Sequence, residues 1–181
     1  MQPDESFSLV AEAQAGDAAA LTLLLQRNDD RMRGLAYKLL DDAHATDDVL
    51  QDAYIKAYQN IGRFRGDSAF SSWHYQIVYT TCIDSMRRSS RRPTAPLDVS
   101  HHPADPERVD VRVAEVDQVR SALNELPVKQ RAVVLLVDGE GLSHREAATV
   151  IGVRPGTVAS RLHRARRALR TYVESIEGDE R

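Results

Sequence analysis

The chain has 181 residues, a formal net charge of −3 and a sequence pI near 6.1, with 42% hydrophobic and 28% charged residues. That length suits one medium domain or two small ones. No apolar run approaches the ~18 residues of a membrane span, and nothing resembles a secretory signal. The single cysteine, Cys82, excludes an internal disulfide and fits a reducing cytoplasm, where the protein is expected.

The modest net charge hides its distribution. Counting Lys and Arg against Asp and Glu, residues 1–62 carry 5 against 11, residues 63–92 carry 6 against 2, and residues 93–126 carry 3 against 7. Residues 127–173 then carry 9 against 3, and the last eight residues 1 against 4. Two basic blocks separated by an acidic spacer point to two nucleic-acid contacts, because positive charge supplies most sequence-independent affinity.

In chain order, apolar spacing predicts helices near 5–15, 17–40 (broken around Asn28), 45–62 and 68–90, then near 110–125, 128–139, 143–151 and 155–175. No alternating strand pattern is convincing, so the expected fold is all-α. Residues 89–110 hold four prolines and almost no periodic apolar pattern, the signature of a semi-extended linker. The expected organisation is two small helical domains, 1–92 and 111–175, joined by a flexible acidic linker over 93–110, with a tail at 176–181. Each half has a modest core and depends partly on partners for its final arrangement.

The helix expected to begin near Thr46, taken as its N-cap, carries Val49, Leu50, Ala53, Tyr54, Ala57, Tyr58 and Ile61 on one arc. The opposite arc presents Asp48, Gln51, Asp52, Ile55 and Gln59. An isolated exposed isoleucine usually means nothing. Ringed by carboxylates, Ile55 reads as the anchor of a polar-rimmed protein contact that attracts a basic partner and repels DNA.

The next segment is aromatic and basic together. Residues 63–70 form a glycine-containing loop, RFRGDSAF, leading to a cap at Asp67 or Ser68. The following helix has Phe70, Trp73 and Ile77 on one side and Tyr75, Tyr79 and Met86 on another, and it ends in Arg87, Arg88, Arg91 and Arg92. Aromatics beside arginines grip unstacked bases on single-stranded DNA. Trp73 and most of the tyrosines are read as core, and Phe64, Ser68 and Ala69 as the better candidates for a base pocket.

The segment 123–169 reads as a helix-turn-helix. Ser143 is its N-cap, with Glu146 completing a capping box, and Pro155 suits the first turn of the last helix. There Val158, Leu162, Ala165 and Leu169 form one apolar stripe. Thr157, Ser160, Arg164 and Arg167 fall opposite, flanked by Arg161 and His163, with Arg154 in the preceding turn. Such a helix fits the major groove; the bland alternative is a solvated basic face.

The stretches DDVLQDAYIKAY at 47–58, FRGDSAFSSW at 64–73, and LPVKQRAVVLL with GLSHREAATVIGVRPGTVASRLHRARRAL over 126–169 closely resemble the extracytoplasmic-function (group 4) branch of bacterial sigma-70 factors. The resemblance covers nearly the whole chain outside the linker and termini. It implies that Asp47, Asp48, Gln51, Asp52, Ile55, Lys56 and Gln59 dock on the β′ clamp helices of core RNA polymerase, with a further contact to the β flap. It implies that Arg63, Phe64, Arg65, Ser68, Ala69, Tyr75, Tyr79, Thr80, Arg87 and Arg88 recognise and melt the −10 promoter element. Arg154, Thr157, Ser160, Arg161, His163, Arg164 and Arg167, within 143–167, would read the −35 element as duplex. The linker would run near the RNA exit path. An anti-sigma factor and a stress or envelope regulon are further implications. Relatives often carry asparagine at the position of Thr80, a basic residue at Ala159 and an aromatic or apolar one at His163, which puts any borrowed promoter sequence in doubt.

A stand-alone operator-binding regulator would share the helix-turn-helix but has no use for the Ile55 surface or the aromatic loop. An enzyme is disfavoured. His101 and His102 lie in the linker without a suitably spaced third metal ligand, Cys82 lacks a catalytic template, and no glycine-rich phosphate loop is present. Neither a metal, a cofactor nor a catalytic residue is expected.

Overall fold

A computed structural model describes residues 3–91 and 111–179, and the expected linker lies outside them. Among the described residues the secondary structure is entirely helical: α1 (Pro3–Gln14), α2 (Ala18–Gln26), α3 (Asp29–Leu40), α4 (Ala43–Asn60), α5 (Phe70–Arg91), α6 (Val111–Asn124), α7 (Val128–Val134), α8 (His144–Ile151) and α9 (Pro155–Asp179). A 3-10 turn, Ile61–Arg63, follows α4, and a π turn, Leu135–Gly139, continues α7. α9 runs on through residues expected as tail.

Local chemistry sets the boundaries. Asp17 caps α2, its carboxylate accepting from the N–H groups of Ala19 at 2.8 Å and Ala20 at 3.2 Å. The break foreseen at Asn28 is present: its φ of −115° and ψ of 1° leave helical space, and its amide donates to the Leu24 carbonyl at 2.9 Å. The expected cap of α4 is corrected. Asp42, not Thr46, accepts from the Ala45 N–H at 3.0 Å, while Thr46 is buried one turn inside and donates its hydroxyl to the Asp42 carbonyl at 2.7 Å. The helix therefore starts at Ala43, one turn before the apolar pattern begins. α3 ends at Asp41, which takes a left-handed φ of 55°, a conformation that aspartate tolerates better than most non-glycine residues.

Packing joins the two halves. One continuous core contains Met32, Leu35, Leu39, Val49, Leu50, Tyr75, Val78, Tyr79 and Cys82 from the first half. Leu123, Leu126, Val133, Leu136, Ala147, Val150, Val158, Leu162 and Ala165 from the second half belong to the same cluster. α8 lies along α5, and α7 with its π turn touches α3. A smaller cluster of Ala13, Ala20, Leu21, Leu24, Ile61 and Phe70 fixes α1 and α2 against the turn that follows α4.

Candidate nucleic-acid interface

The helix-turn-helix is built by its caps. Ser143 accepts from the Glu146 N–H at 3.2 Å, and the Glu146 carboxylate accepts from the Ser143 N–H at 2.9 Å and its hydroxyl at 2.7 Å. Those bonds, the hydroxyl's first, hold the Glu146 carboxyl below its ordinary pKa. Gly152 closes α8 in the left-handed region at φ 69°, which a side chain would strain. Val158, Leu162 and Ala165 are then buried along one side of α9, with Leu169 half-buried. Arg154, Ser160, His163, Arg164 and Arg167 are exposed, while Thr157 and Arg161 are half-buried. The Ser160 hydroxyl donates back to the Thr157 carbonyl at 3.0 Å, leaving its oxygen lone pairs outward. Arg166 turns away from this face, its Nε donating to Asp138 at 3.1 Å.

On α4, Ile55 is 50% exposed with Asp48, Gln51 and Gln59 exposed around it and Asp52 half-buried. Three residues behave differently from the expected pattern. Asp47 is ion-paired with Arg33 from α3 at 2.5 Å. The Lys56 ammonium is turned into the α4–α5 contact, donating to the Thr81 hydroxyl at 3.0 Å. Tyr58, assigned to the apolar arc, is 63% exposed and widens the Ile55 surface instead. A groove of about 640 Å³ runs between α4 and α5, lined by Asp48, Gln51, Asp52, Ser85 and Arg88. Arg88 leans across it to Asp52 at 3.6 Å, so an arginine expected on DNA sits against the expected polymerase surface.

The loop before α5 is pinned from α1: the Gln14 amide donates to the Ile61 and Phe64 carbonyls at 3.1 and 2.6 Å. Arg63, Arg65 and Ala69 are exposed and Ser68 is half-buried. Phe64 is half-buried in an aromatic trio, its ring centroid 6.1 Å from Phe70 and 5.3 Å from Trp73. Trp73 is also half-buried against the smaller core. Farther along α5, Thr80 is exposed but bonds back to the Gln76 and Ile77 carbonyls, and Arg87 lies 3.9 Å from Asp84. Tyr75 and Tyr79 are only 1% and 7% exposed because the second half covers them, so neither reaches a base in this arrangement. Burial, followed by a hydrogen bond to Glu140, raises the Tyr75 pKa; burial raises that of Tyr79 against the opposing charges of Arg161 and Arg87.

Sequence reasoning passed over His74. It is fully buried, 5.9 Å from the rings of both Tyr54 and Phe70, and its two nitrogens have no hydrogen-bond partner among the described residues. Burial lowers its pKa to about 4 against a weaker upward pull from Asp29. Among the described residues, no group of three or more His, Cys, Asp or Glu side chains could hold a metal ion, and no helix is long and apolar enough to cross a membrane.

Among the described residues, an all-helical fold presents a basic helix-turn-helix, an aromatic–basic helix and a separate acidic–apolar face, a combination that suits a DNA-binding factor. The comparisons with known proteins are specific. The Sigma-70 region 2 family matches residues 24–92, and Sigma-70, region 4, matches residues 117–169. The ECF RNA polymerase sigma factor SigM of Mycobacterium tuberculosis is 41% identical over 164 residues, covering 89% of this chain and 81% of its own length. The structure of CnrH in complex with the cytosolic domain of CnrY is similar at a TM-score of 0.73 and 25% identity, over 94% of this chain and 98% of that one. The sigma factor RpoE in complex with the anti-sigma factor NepR from Bartonella quintana gives a TM-score of 0.68 at 25% identity, over 84% of this chain and 96% of that one. The chain belongs to the extracytoplasmic-function sigma factors of the sigma-70 family: promoter-recognising initiation factors, not enzymes.

Proposed function

We propose that residues 1–92 form the unit that binds core polymerase and melts the −10 element, that residues 111–175 form the unit that reads the −35 element, and that 93–110 connects them. α4 docks on the β′ clamp helices through Ile55, Asp48, Gln51, Asp52, Tyr58 and Gln59, an acidic rim around an apolar anchor suited to a basic partner. The loop at 63–69 and the basic end of α5 engage the −10 strand. The exposed face of α9 enters the major groove, Ser160 and Arg164 toward base edges and Arg161 toward phosphate.

The observation that carries this reading is one chain holding three chemically distinct surfaces. A stand-alone regulator needs the third, α9, and not the first. The likeness to a sigma factor bound by an anti-sigma factor supports an inhibitor of that kind here. Promoters of a stress or envelope regulon are the proposed targets. The test is run-off transcription with core polymerase on genomic fragments, followed by start-site mapping. Discrete starts sharing −10 and −35 motifs are expected. Operator binding without any polymerase association would reject the reading in favour of the stand-alone regulator.

A further inference from the structure

We infer that Gln14, at the end of α1, is a positioning residue for the −10 loop: its amide holds residues 61–64 in the shape from which Phe64 and its neighbours meet an unpaired base. This deepens the proposal above that the loop at 63–69 engages the −10 strand, and it rests on that proposal.

The loop has little of its own to hold it. It leaves α4 through the turn Ile61–Arg63, where the Phe64 N–H donates to the Ile61 carbonyl at 3.0 Å, and Phe64 then runs extended at φ −69° and ψ 119°. Gly66 follows in the left-handed region at φ 74°, where a side chain would be strained. Arg63, Arg65, Gly66, Asp67 and Ala69 are all exposed. A segment that contains Gly62 and Gly66 and keeps its backbone in water has many conformers open to it, and all but one must be given up when a base is captured.

Gln14 removes that freedom from outside. Its side-chain amide donates to the Ile61 carbonyl at 3.1 Å and to the Phe64 carbonyl at 2.6 Å, across 47 and 50 positions of sequence. Both partners are acceptors, so only the nitrogen end of the amide, with its two N–H groups, fits the site. Two carbonyls three residues apart fix both the place of the turn and the direction in which the chain leaves it. The amide reaches them because α1 packs on the same turn. Ala13, the neighbour of Gln14, is buried in one cluster with Leu24, Ile61 and Phe70, and Phe64 and Trp73 pack against that cluster.

The ring and the backbone of Phe64 are therefore held in different ways. Phe70 and Trp73 hold the ring by apolar contact, which is non-directional and lets it slide. Gln14 holds the backbone by hydrogen bonds, which are directional and do not. A loop preorganised in this way loses less conformational entropy at the moment of capture. Gln14 acts through the loop backbone, so its loss should slow promoter opening and spare docking at the Ile55 surface, which its two bonds do not touch. A purely packing role predicts that any side chain of the same bulk will serve. A pinning role predicts that the N–H donors matter.

The test compares the full-length wild type with Gln14→Met, which keeps the bulk and removes both donors, and with Gln14→Lys, which restores N–H donors on a longer stem. Gln14 is exposed, so both variants should fold. Trp73 is the only tryptophan of the chain and lies 5.3 Å from the Phe64 ring, so its fluorescence reports the loop in the absence of DNA. Gln14→Met should make Trp73 more open to acrylamide quenching, and Gln14→Lys should quench like the wild type. With core polymerase on a mapped promoter, Gln14→Met should form open complexes about tenfold more slowly in timed permanganate footprinting, the scale of losing two modest hydrogen bonds. Its core affinity should be unchanged, and Gln14→Lys should recover most of the rate. Wild-type quenching and opening rate in Gln14→Met overturn the assignment. A loosened Trp73 with an unchanged opening rate overturns the role at the −10 element. A Gln14→Lys variant as slow as Gln14→Met overturns the pin and leaves packing alone. If the wild type opens no promoter with core polymerase, the functional reading falls instead, and the Trp73 comparison still decides whether Gln14 holds the loop.

Discussion

His74 makes the stability of this factor depend on pH in a way that can be calculated. Its ring is fully buried, has no hydrogen-bond partner among the described residues, and titrates near 4 in the folded chain against an ordinary value of 6.5. A lowered folded pKa means that the unfolded chain takes up the proton first. The contribution is fully present above pH ~6.5 and is lost as pH falls toward 4. Between those limits stability falls by about 1.4 kcal/mol per pH unit, so the loss at pH 4.5 is about 3 kcal/mol. Carboxylates titrate over the same range, so the informative quantity is the difference between the wild type and His74→Phe, which keeps an aromatic ring and removes the proton. Urea unfolding at pH 7.5, 5.5 and 4.5 should show the variant losing less stability at each step, by about 1 and then about 3 kcal/mol in total. Parallel loss in both proteins would refute the reasoning and mean that His74 is solvated or paired.

Other consequences are direct. Ile55→Glu should weaken core binding by about 1–3 kcal/mol in a competition assay while the fold is kept, because the side chain lies on the exposed side of α4. Phe64→Leu should preserve much of the packing on Phe70 and Trp73 yet reduce open-complex formation, read by permanganate footprinting, since base stacking is worth about 1–3 kcal/mol. Ser143→Ala should cost about 1 kcal/mol in thermal unfolding through loss of the capping box. With holoenzyme and a −35 duplex library, Arg164→Ala should relax preference at one or two positions by about 1–3 kcal/mol, and Arg161→Ala should weaken all sequences alike and flatten the salt dependence.

Legibility followed the range of each interaction. The break at Asn28, the Ser143–Glu146 box and the stripe of Val158, Leu162 and Ala165 are contained within a turn or two of helix, and spacing alone revealed them. Thr46 misled because two capping residue types stand four positions apart; Asp42 wins since the helix extends back through Ala43. Tyr58 sits at the margin of its arc, where a few degrees of helix rotation decide whether a ring is covered. The polar contacts between the halves were invisible for another reason. Asp41 and Arg120 are 79 positions apart, and Glu140 and Tyr75 are 65 apart, so no periodicity connects them. In the sequence each is an ordinary surface charge or an ordinary core tyrosine. The tyrosines of α5 were judged by composition, but it is the second half of the chain that buries them.

Two kinds of interaction join the halves, and they differ greatly in weight. Arg31, paired with Glu140, and Arg120, paired with Asp41, remain substantially exposed, and ion pairs so placed contribute about 0–1 kcal/mol each. Arg131 is buried and hydrogen-bonds only carbonyls; burial lowers its pKa against the weaker opposing pull of the Asp41 carboxylate. Against these small terms stands the shared apolar core, in which Leu123, Leu126, Val133, Leu136 and Val150 cluster with Met32, Leu35, Leu39, Tyr75 and Val78; burial of that area, not the polar contacts, holds the halves together.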